Sequence, residues 1–245
     1  MSALAKPLLT PEAYLAIERE ADFKSEYFAG EMFAMAGASE NHNLVVINLI
    51  RELSTRLRSR PCKVYPSDMR VRVTSTNLYT YPDVTVVCDK PQFEGDREDI
   101  LLNPTALIEV LSESTQNYDR GTKFEHYRRI SSLREYVLVA QDMCHVERFE
   151  RQPDNTWILW ETERMEDTLH LPAMDCSLPL AEIYDKVEFS AERRLARSAS
   201  CGSFLIGESD EPVASHIPQD SRLTFHERMF IKKIVKSSRT HCCSI

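Results

Sequence analysis

The sequence predicts a mixed α/β fold, a β-sheet flanked by helices, and three observations predict it. Helical spacing of apolar residues follows capping residues at Thr10 and Ser39, short β-branched runs bounded by Pro, Gly or Ser recur between residues 64 and 162, and one more helix signal interrupts them after Asp119. Thr10-Pro11-Glu12 reads as a helix start, with Thr as cap, Pro at the first helical position and an acid in the first turn. That helix should end before Asp22. SEYFAGEMFAMAG then offers two short apolar or aromatic runs around Ala29-Gly30, the pattern of a β-hairpin. Ser39 caps a second helix to about Arg58, with Leu44, Ile47, Leu49, Ile50, Leu53 and Leu57 on a broad apolar face. From Val64 to Val73 the alternation of MRVRV predicts a half-buried strand, followed by a Thr/Ser/Asn loop. DVTVV after Pro82 and TALIEVLS after Pro104 read as buried strands. Asp119 is expected to cap a helix reaching about Ile130, and REYVLVA, HVERFER and TWILWET follow as three further strands.

Composition sets outer limits. A chain of 245 residues with 42% hydrophobic and 28% charged content can build one good core and at most a small second module. The periodicity fades near Ser190, so the expectation is a domain over residues 1–189 and an irregular or poorly ordered tail over 190–245. No run of about 18 uncharged apolar residues occurs, and MSALAKPLLTPEAY lacks the apolar stretch of a signal peptide; the expectation is a cytoplasmic protein with no membrane partner. The seven cysteines are scattered without a CxxC pair and read as reduced thiols, neither a zinc cage nor a disulfide framework. The formal net charge of −8 opposes a polyanionic partner. Nine Lys or Arg against six Asp or Glu lie beyond residue 189, so the preceding stretch is more acidic than the whole. Arg120, Lys123, Arg128 and Arg129 are the one local basic cluster that could meet such a partner, although the two arginines at 128 and 129 fit a solvated helix face equally well. A Gly-rich phosphate loop, a helix-turn-helix and a zinc finger are all missing from the sequence.

Chemistry enters through two carboxylates on apolar strands. Asp83 opens DVTVV, and Glu109 interrupts an otherwise seamless LIEVL. An unpaired buried carboxylate costs several kcal/mol or more. Glu109 must therefore face a polar cleft or meet a cation. If adjacent strands bring Asp83 and Glu109 together, a divalent ion between them relieves the repulsion, and Mg²⁺ suits such oxygen donors. The bland alternatives are a turn acid at Asp83 and a solvent-facing edge residue at Glu109. Lys123, in YDRGTKFEHYRR, could polarise an attacking water or neutralise charge developing on a phosphate. A lysine in the first turns of a helix opposes the helix dipole, which argues that it is placed for another reason.

The succession YPDVTVV, LIEVLSEST and YDRGTKFEHYRRISSLREYVLV resembles the Uma2 family over roughly residues 8 to 189. The resemblance implies a restriction-endonuclease-like fold of the PD-(D/E)xK type, with additional N-terminal hairpin and C-terminal strands, acting as a Mg²⁺-dependent endonuclease on DNA. It implies Asp83 and Glu109 as metal ligands. The usual motif places a lysine two residues after the second acid, where this chain has Leu111; the resemblance puts the working lysine on the following helix, at Lys123. Glu31, after Gly30, matches the Gly-Glu of the family's hairpin and is the candidate further acid, ahead of Glu40 and His42. Ser112 and Ser114 could orient phosphate or end the strand, Tyr127 is expected in the core, and Trp157 and Trp160 are expected to pack on the sheet. The alternative is a catalytically inactive nuclease-fold module that binds nucleic acid or protein, which the acidic charge and Leu111 favour. A homodimer stays open as an assembly.

Overall fold

The computed structural model describes residues 8–189, all within one compact unit; the tail expected from residue 190 lies outside them. Helix α1 (Pro11–Glu20) begins as its sequence predicts, with Thr10 Oγ1 accepting from Ala13 N at 3.2 Å and Pro11 in the first turn. It packs on the hairpin of β1 (Ser25–Phe28) and β2 (Glu31–Ala34), whose two-residue turn places Ala29 at φ 50° and Gly30 at φ 87°. A side chain at position 30 would collide with Leu8, whose Cβ lies 2.6 Å from where a Cβ would stand. Buried Glu18 ties α1 to the hairpin by accepting from Ser25 N at 3.0 Å, and it also accepts from the Tyr81 hydroxyl at 2.8 Å. Tyr14 donates to Ser25 O at 2.6 Å.

Helix α2 (Glu40–Arg56) is capped by Ser39, whose Oγ accepts from His42 N at 3.1 Å. Its inner face is Val45, Asn48, Leu49 and Leu53, while Ile47, expected inside, is 57% exposed. The face is rotated because it includes a polar residue that a hydrophobic count leaves out. Asn48 is buried with its amide donating to Ile183 O at 3.1 Å and Asp185 O at 2.9 Å.

The run from Val64 to Val73 divides into β3 (Lys63–Pro66) and β4 (Arg70–Val73), which join different sheets. Pro66 ends the first strand, and the Met69 N–H closes a turn on its carbonyl at 3.0 Å. The expected Thr/Ser/Asn loop is only a tight turn, since β5 (Leu78–Thr80) folds straight back on β4. There follow β6 (Val84–Val87), β7 (Ile100–Leu101) and β8 (Ala106–Leu111). Next come α3 (Gln116–Tyr118), a π turn (Asp119–Lys123) and α4 (Phe124–Tyr127). Asp119 therefore lies inside a continuous helical segment and does not cap it. The strands β9 (Glu135–Ala140), β10 (Val146–Arg151) and β11 (Trp157–Thr162) stand as predicted; β12 (Thr168–Leu171), β13 (Cys176–Pro179) and α5 (Leu180–Ile183) complete the described chain.

One sheet has the order β2-β1-β5-β4-β7, a second β11-β10-β9-β8-β6-β3, and β12 pairs with β13 alone. The side-chain alternation of β8 divides the core. Ala106, Ile108 and Val110 meet α2, α5 and β13, whereas Leu107 and Leu111 meet Val71, Val73, Tyr127 and Tyr136. Glu109 follows the second set. It points into the layer between the two large sheets. Trp160, expected to be packed, is 53% exposed on the edge strand β11 with the Arg148 guanidinium over its ring at 5.7 Å. Among the described residues no helix is long and apolar enough to cross a membrane.

The expectation of reduced thiols fails for Cys62 and Cys88, which form a disulfide. The register that pairs Lys63 with Val87 sets these cysteines opposite each other one step further along β3 and β6. Closing this loop restricts the unfolded chain, so reduction should lower stability by about 2–4 kcal/mol. Peptide mapping of unreduced, alkylated protein should recover the Cys62 and Cys88 peptides as one cross-linked species; two separately alkylated peptides would contradict the assignment.

Candidate active site

The antiparallel pairing of Val84 with Ile108 places Asp83 opposite Glu109, one step past the end of the ladder. Asp83 is fixed there by its Oδ2, which accepts from Val110 N at 2.7 Å. Its Oδ1 meets His42 Nε2 at 3.1 Å. Strand pairing alone thus brings together the two carboxylates singled out in the sequence.

Lys123 reaches the same place from the end of the π turn. Its Nζ lies 2.9 Å from Glu109 Oε1, 3.2 Å from Glu26 Oε1 and 3.7 Å from Asp119 Oδ1. The Tyr127 hydroxyl donates to Glu109 Oε1 at 2.8 Å and lies 3.2 Å from Thr80 Oγ1, and Thr80 donates in turn to Glu26. Glu26, Lys123, Glu109, Tyr127 and Thr80 close a ring of polar contacts between the two sheets. Tyr127 is in the core as expected, but its hydroxyl has a specific partner.

The electrostatics of the ring are unbalanced. Burial pushes the Glu109 carboxyl well above the ordinary range; the Lys123 charge opposes that shift, and Asp83 and Asp119 reinforce it. Asp119 is raised as well, again chiefly by burial. Burial would depress the Lys123 ammonium, yet the charges of Glu109 and Glu26 hold it well above its ordinary value. The two partners of the Lys123–Glu109 pair therefore pull differently, one toward the charged pair and one away. We assign the stable charge to Lys123, because it faces three carboxylates while Glu109 has this single cation at contact distance.

Glu31 does not join the group. It is exposed at the turn end of β2, paired with Phe28 across the hairpin. The hairpin acid at Lys123 is instead Glu26 of β1, and Asp119, expected only as a helix cap, joins it there. The period-2 alternation of β1 could have signalled Glu26, since Ser25 and Tyr27 face α1 and leave Glu26 and Phe28 on the other side. The basic cluster of Arg120, Lys123, Arg128 and Arg129 does not form. Lys123 is buried, Arg128 and Arg129 are exposed, and Arg120 pairs with Glu147 at 2.6 Å. Ser112 spends its hydroxyl on Thr115 Oγ1 at 2.9 Å and on Ser114 Oγ at 3.1 Å, closing the turn into α3. A cavity of about 340 Å³ lies beyond the end of β8, lined by Ser112, Gln116, Arg120, His145 and Glu163 among others and by none of the carboxylates around Lys123. Chemistry at Glu109 belongs to the polar ring and not to this neighbour.

The mixed α/β fold that carries these side chains is similar to a nuclease fold of known structure. The crystal structure of a putative nuclease belonging to DUF820 from Anabaena variabilis ATCC 29413 superposes with a TM-score of 0.61 at 15% identity, covering 74% of this chain and 99% of that one. The chain belongs to the Uma2 family, described as "Putative restriction endonuclease", whose model matches residues 11–181. Two relatives from Synechocystis sp. (strain ATCC 27184 / PCC 6803 / Kazusa) bear the names uncharacterized protein sll1609 and uncharacterized protein slr1290. The first is 38% identical, covering 63% of this chain and 87% of its own length; the second is 32% identical, covering 75% and 95%.

Replacing Lys123 by Met would leave Glu26, Glu109 and Asp119 without their cation, a change expected to cost about 3–5 kcal/mol. Glu109 and Asp119 have folded pKa values above their unfolded ones, so between those limits the native state holds more protons and stability rises as pH falls. The Lys123 charge opposes both shifts, so removing it raises these carboxyls further and the variant takes up more protons on folding than the wild type; the deficit of Lys123→Met should therefore shrink from pH 8 to pH 5 in urea unfolding. A deficit unchanged across that range would show that packing, and not charge, dominates the position.

Proposed function

We propose that this chain is a metal-dependent endonuclease that hydrolyses DNA phosphodiester bonds, with Asp83, Glu109 and Lys123 at its centre. The observation that carries this reading is the 2.9 Å approach of Lys123 to Glu109 beside an Asp83 held by the next main-chain N–H of the same strand.

The donor chemistry suits a hard divalent cation such as Mg²⁺. Asp83 and Glu109 offer carboxylate oxygens, Glu26 and Asp119 add two acids close by, and the four acids have only Lys123 and the His42 ring as cationic partners at contact distance. Among the described residues no group of three or more His, Cys, Asp or Glu side chains is already arranged to hold a metal ion, so Asp83 and Glu109 would need further donors, from water, substrate phosphate or a neighbouring side chain. When bound, the cation supplies Lewis-acid polarisation of a phosphoryl oxygen and lowers the pKa of water.

The chain's own residues do the rest. Lys123 offers a permanent ammonium against negative charge growing on the phosphate, in surroundings where screening by water is weak. Tyr127 and Glu26 keep it from swinging away. Asp83 and His42 are the more open members of the group, with side chains 15% and 17% exposed against 6% and 7% for Glu109 and Lys123. A phosphate would enter from their side.

The acidity of the domain and the pairing of Arg120 with Glu147 favour the second reading, a nuclease fold retained for binding without turnover. Cleavage of supercoiled and single-stranded DNA at low salt separates the two. Wild type with Mg²⁺ should cut, EDTA should abolish cutting, and Asp83→Ala, Glu109→Ala and Lys123→Ala should each reduce the rate by roughly 10²-fold or more. Folded wild type that cuts neither substrate, or variants that cut equally well, would favour the binding module.

A further inference from the structure

We propose that His42 is a direct ligand of the divalent cation at this site and that its nitrogen tilts the site toward manganese or cobalt over magnesium. The proposal rests on the cation-dependent reading of the site given above. It begins from how firmly the ring is placed. The first turn of α2 is held by the Ser39 cap on His42 N, and Ser39 also bonds to Gln141, whose amide donates to Leu111 O at 2.9 Å. Asn41 adds hydrogen bonds to Gln141 O at 3.3 Å and Glu188 O at 2.9 Å. The helix start is thereby tied to the end of the strand that carries Glu109.

The contact itself has the spacing of two ligands. His42 Nε2 and Asp83 Oδ1 are 3.1 Å apart. Donor atoms bound about 2.0–2.2 Å from one ion and at right angles to each other stand about 3 Å apart. Asp83 is oriented for this, because Val110 N occupies Oδ2 and leaves Oδ1 facing the ring. The capping of α2 needs only the backbone of His42, and the ring itself is oriented by Asp83 and by the Val110 main chain at the end of β8. It also stands at the more open end of the group, where an ion from solvent arrives first. On binding, Nε2 would exchange its proton for the ion. Carboxylate, carbonyl and water oxygens suit Mg²⁺, Ca²⁺ and Mn²⁺ alike, whereas an imidazole nitrogen adds affinity for first-row transition ions, least for Mn²⁺ and more for Co²⁺, that Mg²⁺ does not gain.

Electron paramagnetic resonance of the full chain titrated with Mn²⁺ alone tests this without any substrate. We expect Mn²⁺ to bind roughly tenfold or more tightly than Mg²⁺ in competition, and the electron spin echo of bound Mn²⁺ to be modulated by a directly ligated ¹⁴N. In His42→Ala and His42→Gln the nitrogen modulation should vanish and Mn²⁺ affinity should fall by roughly tenfold, with Mg²⁺ affinity changing by less than about threefold. Bound Mn²⁺ with no nitrogen coupling in the wild type would overturn the proposal, as would coupling that survives in both variants or an absence of Mn²⁺ binding. The wild-type spectrum decides even if a variant fails to fold. Nitrogen-ligated Mn²⁺ in a protein that cuts no DNA would sustain His42 as a ligand and remove only the nuclease reading.

Discussion

The ammonium of Lys123 is the charge around which the two large sheets are assembled. Its carboxylate partners come from β1 in one sheet, β8 in the other and the π turn of the connecting helical segment. Apolar packing is indifferent to small slips between layers, but an ion pair buried between them is not, because each partner displaced from contact is left as a desolvated charge. The ring through Tyr127 and Thr80 therefore acts as a register mark between sheets whose strands share no ladder. The remainder of the interface, Leu107, Leu111, Val71 and Val73, supplies area without supplying position.

The same group is a poor design for stability taken alone. Four acids near one lysine and one histidine leave negative charge in a water-poor layer, and exchanging the whole group together for apolar side chains of similar volume would be neutral or better for folding. Locally unfavourable electrostatics of this kind concentrate where a site awaits a ligand of opposite charge. On that view the acidity of the domain and its proposed action on a polyanion are compatible, since the ion brought to Asp83 and Glu109 reverses the local sign before phosphate arrives.

The sequence carries the central strands and singles out Asp83 and Glu109 clearly, because both are consequences of local pattern, whereas the pairing of β6 with β8 that joins them comes from the fold. DVTVV and LIEVL are buried on both faces, and each charged interruption stands out against them. Where the reading failed, the cause lay in distant contacts. Asn48 turns inward because two carbonyls near α5 accept its amide, which rotates the face expected for α2. The break at Pro66 is visible in the sequence, but that β3 and β4 enter different sheets is not. Glu26 and Glu31 look alike in the hairpin, and only the burial of Ser25 and Tyr27 against α1 decides which faces Lys123. Asp119 reads as a cap because caps and helix interiors both admit aspartate; its position beside a lysine four residues on marks the interior, and the wider turn brings the two within 3.7 Å. The disulfide likewise depends on a pairing between β3 and β6 that cysteine spacing cannot reveal.

The π turn at Asp119–Lys123 has a consequence for descent as well as for shape. Such a turn is equivalent to one residue inserted into a regular α-helix. Each residue of an α-helix advances the chain by about 100° around its axis. A relative that lost a single residue from Arg120, Gly121 or Thr122 would recover an unbroken α-helix while turning Lys123 about a quarter of the way around, away from Glu109 or out of line with Tyr127. Gaps in this short stretch are thus a sharper marker of a lost site among relatives than substitutions at the lysine itself, since the residue would still be present in the sequence and aimed elsewhere.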